Sequence, residues 1–263
     1  MSNMNIEKIQ YLIKSRVAPN IFYYPETDST NTRAREYAKE NPENKTAAVF
    51  IADSQTAGRG RLGKSFYSAQ GTGIYISFLL YPNRQGADIT KLTPFCAVKL
   101  SKCVEELADL YPSIKWVNDL YTGGKKLAGI LVEGEMDSEG NVAYLVCGMG
   151  INVYKTAFPR EISDIAISIE EATGKKISRE KFIARLIEKI LSGADNFGTD
   201  EIFSSYKNRL DTVGKSVTVI KPASSYNATV KALNPDYSLT LTLPDGREEI
   251  LFTGEVSIRK TNS

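Results

Sequence analysis

The sequence of 263 residues contains no histidine. Hydrolases that depend on Ser-His-Asp or Cys-His groups are therefore excluded, and so are zinc sites with histidine ligands. Any proton transfer has to use a carboxylate, a lysine, a tyrosine, water or the substrate itself. The chemistry of this chain must therefore work without an imidazole.

Cysteine is scarce, and neither sign of charge dominates. The 3 cysteines, an odd number in a chain of this size, predict buried free thiols in a reducing cytoplasm. The formal net charge of +2 predicts no broad surface for long nucleic acid or an anionic membrane. No apolar run approaches the roughly 20 residues of a membrane span, and the first residues do not resemble a signal peptide. We therefore expect a cytoplasmic globular protein without a membrane partner.

Hydrophobic periodicity predicts a mixed β-sheet packed with helices. A helix is predicted for residues 5–16, a strand for Ile21 to Tyr24, and a helix from the following DST segment to about Glu40. Cys96 and Cys103 fall on the apolar stripe of a long helix and are predicted to be structural. The other predicted elements are strands at 47–55, 73–81, 113–119, 127–135 and 143–153, and helices from Pro94 and at 162–172, 178–192 and 200–210.

From about residue 212 the pattern changes to an alternation of apolar and polar residues. Asn234-Pro235 and Asp245-Gly246 mark turns between the alternating segments. This pattern predicts a small antiparallel barrel or sandwich. We therefore expect an α+β main domain at 1–211 and a small C-terminal β-barrel domain at 212–263.

Residues 58–65, GRGRLGKS, fit the phosphate-loop pattern G-x-x-x-x-G-K-[ST]. A true phosphate loop needs a helix directly after it, because the helix N-terminus supplies amides and a favourable dipole. The sequence that follows is typical of a turn and a strand, which disfavours a P-loop nucleotidase. Its glycines instead allow a loop with Arg59, Arg61 and Lys64 to approach an anion closely, and the alternative is a solvated basic turn.

Three further segments carry polar residues or glycines at predicted strand ends. Asn118 and Asp119 lie at the end of a predicted strand, where an aspartate can bind magnesium, although Asn-Asp is most often only a turn. Lys126 directly precedes the apolar Leu127, so its stem can pack while its ammonium group enters a cavity. The alternative for Lys126 is an edge-strand lysine. The glycines of CGMGINV (147–153) allow the backbone to approach a ligand.

Taken in order, these motifs resemble those of the biotin protein ligases. They are DSTN (28–31), QTAGRGRLGKSF (55–66), KWVND (115–119), KKLAGILVE (125–133) and GMGIN (148–152). Each motif alone is weak, but their order and spacing are specific. The resemblance implies a biotin/lipoate protein ligase-like catalytic fold. Lipoate–protein ligases share that fold and are the nearest enzymatic alternative, whereas the GRGR loop with KWVND favours biotin.

The resemblance also implies roles for individual residues. It places Lys126 against the biotin carboxylate and the α-phosphate, and Arg61 on the loop that closes over both substrates, so these two are the predicted catalytic residues. Lys64 and Phe66 stand where the family often has Arg and Trp, and no protein ligand for a metal is assigned. The predicted biotin-binding residues are Ser29, Thr30, Gln55, Gly58, Arg59, Arg61, Lys126, Gly129 and Gly148, and the predicted nucleotide-binding residues are Lys64, Phe66, Asn118, Asp119 and Asn152.

The implied reaction joins biotin and ATP, with Mg²⁺, to biotinyl-5′-AMP. Biotin is then transferred to a lysine of the biotin carboxyl carrier protein of acetyl-CoA carboxylase or a related carboxylase. A carboxylate nucleophile is already ionised at neutral pH, so the reaction is compatible with a chain that has no histidine.

Two expectations concern the ends of the chain. Only about 20 residues precede the first family-like strand, whereas an independent domain needs roughly 50. We therefore expect the form of ligase that does not have the N-terminal DNA-binding domain, with no DNA partner. The C-terminal β segment either helps to position ATP or the carrier, or only stabilises the chain. A biotin-binding module without catalysis is the non-enzyme alternative.

Overall fold

The computed structural model describes residues 4–14, 19–82, 86–194, 196–221, 224–252 and 255–258. The helices are α1 (Ile6–Leu12), α2 (Thr30–Glu40), α3 (Leu92–Ala108), α4 (Ile169–Thr173), α5 (Arg179–Leu191) and α6 (Asp200–Arg209). The strands are β1 (Asn20–Tyr24), β2 (Ala48–Ala52), β3 (Gly73–Leu80), β4 (Ser113–Lys115), β5 (Asp119–Thr122), β6 (Lys125–Met136), β7 (Val142–Asn152), β8 (Ser216–Lys221), β9 (Ser224–Leu233), β10 (Leu239–Thr242), β11 (Glu248–Leu251) and β12 (Glu255–Ile258).

A seven-stranded mixed sheet forms the main body, in the order β1-β2-β3-β7-β6-β5-β4. Strand β1 runs parallel to β2, and the remaining neighbours are antiparallel. Strands β2 and β3 are buried along their whole length, as expected where helices cover both faces of a sheet. The predicted mixed sheet with packed helices is confirmed.

The two faces of this sheet are covered by different helices. On one face, α3 and α5 form the main apolar core, to which β7 contributes Cys147. On the other face, α2 packs through Ala34 and Ala38 against residues that include Val146 of β7. Because side chains alternate along a strand, Gly148 lies on the same face as Val146 and therefore beneath α2.

Helix α4 is shorter than the sequence pattern predicts. The pattern predicts a helix over 162–172, but α4 begins at Ile169, so the prediction is wrong for 162–168. A capping box fixes this start, because Ser168 Oγ accepts from Glu171 N while the Glu171 carboxylate accepts from Ser168 N. The segment before α4 forms turns and joins the start of β6, where Lys126 N donates to Ile165 O.

The remaining helices and the cysteines agree with the sequence predictions in most respects. The helix predicted for 5–16 ends at Leu12, and residues 15 and 16 lie outside the described part of the chain. Cys96, Cys103 and Cys147 are free and buried, as predicted. Within the described ranges, no helix is long and apolar enough to cross a membrane.

The C-terminal strands form a five-stranded antiparallel sheet in the order β11-β10-β9-β8-β12. The predicted small antiparallel β unit is confirmed, whereas its closure into a barrel stays a prediction. This sheet packs on the main body: Trp116 Nε1 donates to Tyr237 O at 2.8 Å, and the rings of Tyr206 and Tyr237 meet edge to face with centroids 5.3 Å apart. We propose the boundary at 211/212 as a division between two units that share one core.

Candidate active site

A cavity of 1210 Å³ lies between the start of α2, the loop at 55–68 and the ends of β6 and β7. Its volume exceeds the roughly 300–1,000 Å³ of a typical small-molecule site, so it can hold two substrates side by side. Every site residue predicted from the sequence lines this one cavity: Ser29, Thr30, Gln55, Gly58, Arg59, Arg61, Lys64, Phe66, Asn118, Asp119, Lys126, Gly129, Gly148 and Asn152.

Glycines of β7 form the floor of the cavity. A Cβ on Gly148 would overlap the side-chain amide of Asn31, and a Cβ on Gly150 would overlap the ring of Phe66. Both overlaps fall below 3.0 Å, a distance that real Cβ atoms essentially never reach. The sequence predicts that a ligand approaches this backbone closely, and the structure adds that two protein side chains also need the space.

The first turn of α2 presents hydroxyl and amide groups that a hydrogen-bond network holds in place. Gln55 Oε1 accepts from Thr30 N at 2.8 Å and from Thr30 Oγ1 at 3.1 Å. Gln55 Nε2 donates to Ser68 Oγ at 3.0 Å, which fixes the orientation of the amide. Ser77 Oγ lies 2.7 Å from Thr30 Oγ1 and donates to Asn31 Oδ1 at 2.6 Å. This wall is polar but uncharged, so it suits a neutral ring with both donors and acceptors.

Asp28 and Ser29 directly precede α2 and its polar wall. Ser29 occupies the N-cap position, but its hydroxyl makes no capping bond to the helix. Asp28 Oδ1 accepts from Ser29 N at 2.6 Å. Desolvation acts to raise the pKa of Asp28, but the hydrogen bonds from Ser29 N and Thr27 and the charge of Arg33 together lower that pKa below its ordinary value.

The basic glycine-rich loop folds back on itself at the cavity. Phe66 N donates to Gly58 O at 2.9 Å, and Gly60 N donates to Lys64 O at 2.6 Å, so the two halves of the loop pair. A Cβ on Gly58 would lie 2.5 Å from Phe66 O, which explains why glycine is needed there. The next regular element after the loop and its 3₁₀ turn is strand β3. The rejection of a P-loop is therefore confirmed.

The two predicted catalytic cations are oriented by polar neighbours. Arg61 Nη1 donates to Asn118 Oδ1 at 3.3 Å. Lys126 Nζ lies 2.8 Å from Asp119 Oδ2 and 5.9 Å from the centroid of the Phe66 ring. Both cations line the same cavity, so an anion bound there meets two positive charges whose positions are already restricted.

The two oxygens of the Asp119 carboxylate differ in their surroundings. Oδ2 pairs with Lys126, whereas Oδ1 is buried and makes no hydrogen bond to any residue that the structure describes. Gly129 lies opposite Asp119 in the pairing of β5 with β6, and a Cβ there would lie 3.0 Å from Lys126 Cε and Nζ. Gly129 therefore makes room for the ion pair. In the described ranges, no cluster of three or more His, Cys, Asp or Glu side chains could hold a metal ion.

Asn152 supports the cavity wall through its side chain. Its Nδ2 donates to Lys126 O at 3.4 Å and to Ile167 O at 3.2 Å. These bonds tie the end of β7 to the start of β6 and to the segment before α4. The contact with a nucleotide that the resemblance implies for Asn152 stays a prediction.

Sequence reasoning missed several residues that line the cavity or hold its lining residues in place. Asn31 and Glu133 end two of the quoted motifs, so their position in those motifs was a signal, although no role was assigned to them. Asp211 and Lys215, which lie just before the C-terminal sheet begins at Ser216, carried no signal. The segment before α4 was predicted as helix, and its cavity-lining residues are Phe158, Pro159, Glu161, Ile162, Ile165 and Ala166.

Comparison with known proteins shows which family has this fold and these motifs. The model of the Biotin/lipoate A/B protein ligase family matches residues 23–152. A solved biotin protein ligase from Aquifex aeolicus, in complex with biotin and ATP, superposes with a TM-score of 0.74 at 29% identity, covering 92% of this chain and 99% of that chain. The chain belongs to the biotin protein ligase family. The mixed sheet with its helices matches the catalytic fold of this family, and the C-terminal β unit is consistent with the family's C-terminal domain.

Curated members of the biotin protein ligase family differ in how much of their length this chain covers. The bifunctional ligase/repressor BirA of Bacillus subtilis is 36% identical over 183 residues, which is 68% of this chain and 55% of that protein. The biotin–[acetyl-CoA-carboxylase] ligase of Paracoccus denitrificans is 26% identical over 235 residues, which is 85% of this chain and 95% of that protein. This chain thus spans about half the length of the Bacillus relatives that it matches.

Proposed function

We propose that this chain activates biotin with ATP to biotinyl-5′-AMP and transfers biotin to a specific lysine of a biotin carboxyl carrier protein or domain. One observation carries the proposal: a single cavity combines an uncharged hydrogen-bonding wall with the cations Arg61 and Lys126. A small acid with a neutral polar ring can bind along the wall and direct its carboxylate towards the cations.

The first step has to bring two anions together. An oxygen of the biotin carboxylate attacks the α-phosphorus of ATP, and the bond from that phosphorus to the bridging oxygen breaks to release pyrophosphate. Two unit charges 4 Å apart repel by about 4 kcal/mol at an effective dielectric constant near 20. Arg61 and Lys126 offset this repulsion and stabilise the charge that gathers on the α-phosphate oxygens. Holding both reactants in line supplies up to roughly 7–11 kcal/mol more.

We assign the remaining predicted residues to the two substrates. Ser29, Thr30 and Gln55, with Gly58, Arg59, Gly129 and Gly148, surround biotin. Lys64, Phe66, Asn118, Asp119 and Asn152 face the nucleotide. The Phe66 ring forms part of the cavity wall and offers a π-face for stacking on the adenine.

Magnesium is proposed to arrive with ATP. Mg²⁺ is usually held by one or two carboxylates together with substrate phosphates. The buried Oδ1 of Asp119, which has no hydrogen-bond partner in the described part of the chain, fits such a single protein ligand. The ion would neutralise phosphate charge.

In the second step, the carrier lysine attacks the acyl carbon of biotinyl-5′-AMP, an amide bond forms and AMP leaves. The attacking lysine must first lose a proton, and we propose the Asp119 carboxylate as the acceptor. The acceptor domain belongs to acetyl-CoA carboxylase or a related carboxylase. The free buried thiols of the chain agree with a cytoplasmic location, which we also propose.

A second candidate is transfer of lipoate, because the matching family model includes lipoate protein ligases. The test incubates the purified chain with Mg-ATP and either biotin or lipoate, and measures pyrophosphate and the acyl-AMP mass. We expect pyrophosphate and biotinyl-5′-AMP with biotin, and much less product with lipoate. Formation of lipoyl-AMP alone would establish lipoate transfer as the function. Binding of biotin without any acyl-AMP would establish a biotin-storage module. Release of phosphate in the absence of both acids would indicate a nucleotidase.

The transfer step needs its own assay. The chain is incubated with biotin, Mg-ATP and an unbiotinylated carrier domain, and the carrier mass is measured. A carrier variant with arginine in place of the acceptor lysine is the matched control. We expect the mass of one biotin to be added only to the carrier that has the lysine.

A further inference from the structure

Glu133 of β6 connects three parts of the cavity wall. Its Oε2 accepts from Arg59 Nη2 of the basic loop at 2.9 Å and from Asn31 Nδ2 of α2 at 2.7 Å. Its Oε1 lies 3.6 Å from Arg35 Nη1, also on α2. One carboxylate on the rigid main sheet therefore holds both the loop and the helix that border the cavity.

We propose that Glu133 is a positioning residue that holds the basic loop in place through Arg59 and so retains the acyl-adenylate in the cavity. This inference rests on the proposed function, because it needs an acyl-adenylate to retain. A mixed anhydride hydrolyses in water, so the enzyme needs a closed site between its two steps. The loop that carries Arg59 also carries Arg61, and a loop that opens would remove both from the cavity.

The geometry favours a role in loop position over a general role in stability. The Arg59 and Glu133 side chains are 36% and 25% exposed, so their ion pair contributes little to folding. Arg59 is also remote from Glu133 in sequence, so the contact ties a loop to a distant strand. Arg61 also ties the loop to the main body, through Asn118 in the turn before β5. Loss of the Glu133 contact should therefore loosen the loop without releasing it completely.

The size of the effect follows from the exposure of the pair. Partly exposed ion pairs are worth about 0.2–1 kcal/mol, which corresponds to a change of up to about fivefold in an equilibrium. We expect Glu133→Gln to increase the open fraction of the loop by about two- to fivefold. Glutamine keeps the shape of the side chain and an oxygen that can accept from both Asn31 and Arg59, so this variant weakens the contact with Arg59 by removing its charge.

Glu135 provides a matched control. It lies two residues further along β6, on the same face and with the same charge, but it is exposed. Among the described residues, no ion pair or hydrogen bond of its side chain is found. Glu135→Gln therefore removes the same charge from the same strand without weakening the contact with Arg59.

The first measurement needs no substrate. Hydrogen exchange reports on the amides of Gly60, Lys64 and Phe66, which are hydrogen-bonded within the folded loop. Glu133→Gln should raise exchange about two- to fivefold for these amides only, whereas Glu135→Gln should leave it unchanged. Equal exchange in both variants, or faster exchange throughout β6 in Glu133→Gln, would overturn the proposal.

The second measurement follows the bound intermediate. The enzyme is loaded with biotin and Mg-ATP, free substrates are removed, and the bound biotinyl-5′-AMP is measured over time. We expect its half-life to be about two- to fivefold shorter in Glu133→Gln than in the native chain or in Glu135→Gln. Equal half-lives in all three would refute the inference alone, whereas a native chain that forms no biotinyl-5′-AMP would refute the proposed function.

A double-mutant cycle tests whether the effect passes through Arg59. If Glu133 acts on the loop through this arginine, Arg59→Gln and Glu133→Gln together should speed loop exchange no more than the larger single change does. Additive effects would show that Glu133 acts by another route.

Discussion

Replacing Lys126 with alanine removes a cation that lies beside Asp119 and the Phe66 ring. At about 4 Å and an effective dielectric constant near 20, one unit charge interacts with another by about 4 kcal/mol. Each 1.36 kcal/mol in an activation free energy is a tenfold change in rate, so complete loss would slow adenylation by up to about 10³-fold. The Lys126 side chain is 31% exposed, and solvent screening reduces this value. We therefore expect a decrease of about 10²–10³-fold.

The assay is pyrophosphate release with saturating biotin and Mg-ATP, and Lys125→Ala is the matched control. Lys125 is the adjacent residue, but it donates to Ser163 O at 3.3 Å and does not line the cavity. The control variant should adenylate biotin at nearly the native rate. Near-native pyrophosphate release from Lys126→Ala would contradict the electrostatic argument. An equal loss in both variants would show that the loss is not specific to the cavity. Circular dichroism of both variants verifies that each is folded.

Three other changes test the packing of the site and of the apolar core. Gly148→Ala forces a Cβ onto the Asn31 amide, so we expect a loss of about 1–3 kcal/mol in urea denaturation and weaker biotin binding by calorimetry; native values for both would contradict the packing argument. Trp116→Phe leaves the buried Tyr237 carbonyl without its donor, which should lower the free energy of unfolding by about 1–3 kcal/mol, and an unchanged denaturation midpoint would argue against that bond. Burial raises the pKa of Cys103 from 9.0 to about 12, so above pH 9 the unfolded chain holds fewer protons than the folded chain and stability should fall as pH rises towards 12. Cys103→Ala should lessen this alkaline loss, and an equal loss in that variant would assign it to other groups.

Periodicity correctly predicted elements that bury an apolar face. It was wrong where local hydrogen bonds determine the structure. The apolar stripe of α3 and the alternation of the C-terminal strands are repeated signals, so their existence was predicted correctly. The start of α4 depends instead on the capping box between Ser168 and Glu171, which competes with the apolar spacing upstream. The upstream segment then joins β6, a contact between residues that are far apart in sequence.

The same limit applies to the site. Residues within the motifs line one cavity, as the resemblance implies. Glu133 and Asn31 were inside those motifs, but their link to each other and to Arg59 depends on how β6, α2 and the loop meet in space. Lys215 lines the cavity because the C-terminal sheet packs on the main body. No local sequence pattern predicts this packing.

The glycine floor of β7 limits how the cavity can be redesigned. Gly148 and Gly150 carry no side-chain carbon, so no smaller residue exists that would deepen the cavity on the sheet side. A larger acid could be admitted only by trimming the opposite wall, on α2 or on the basic loop. Asn31 is the first residue to replace with a smaller one, but its amide also donates to Glu133. A substitution that widens the substrate range would therefore also loosen the basic loop.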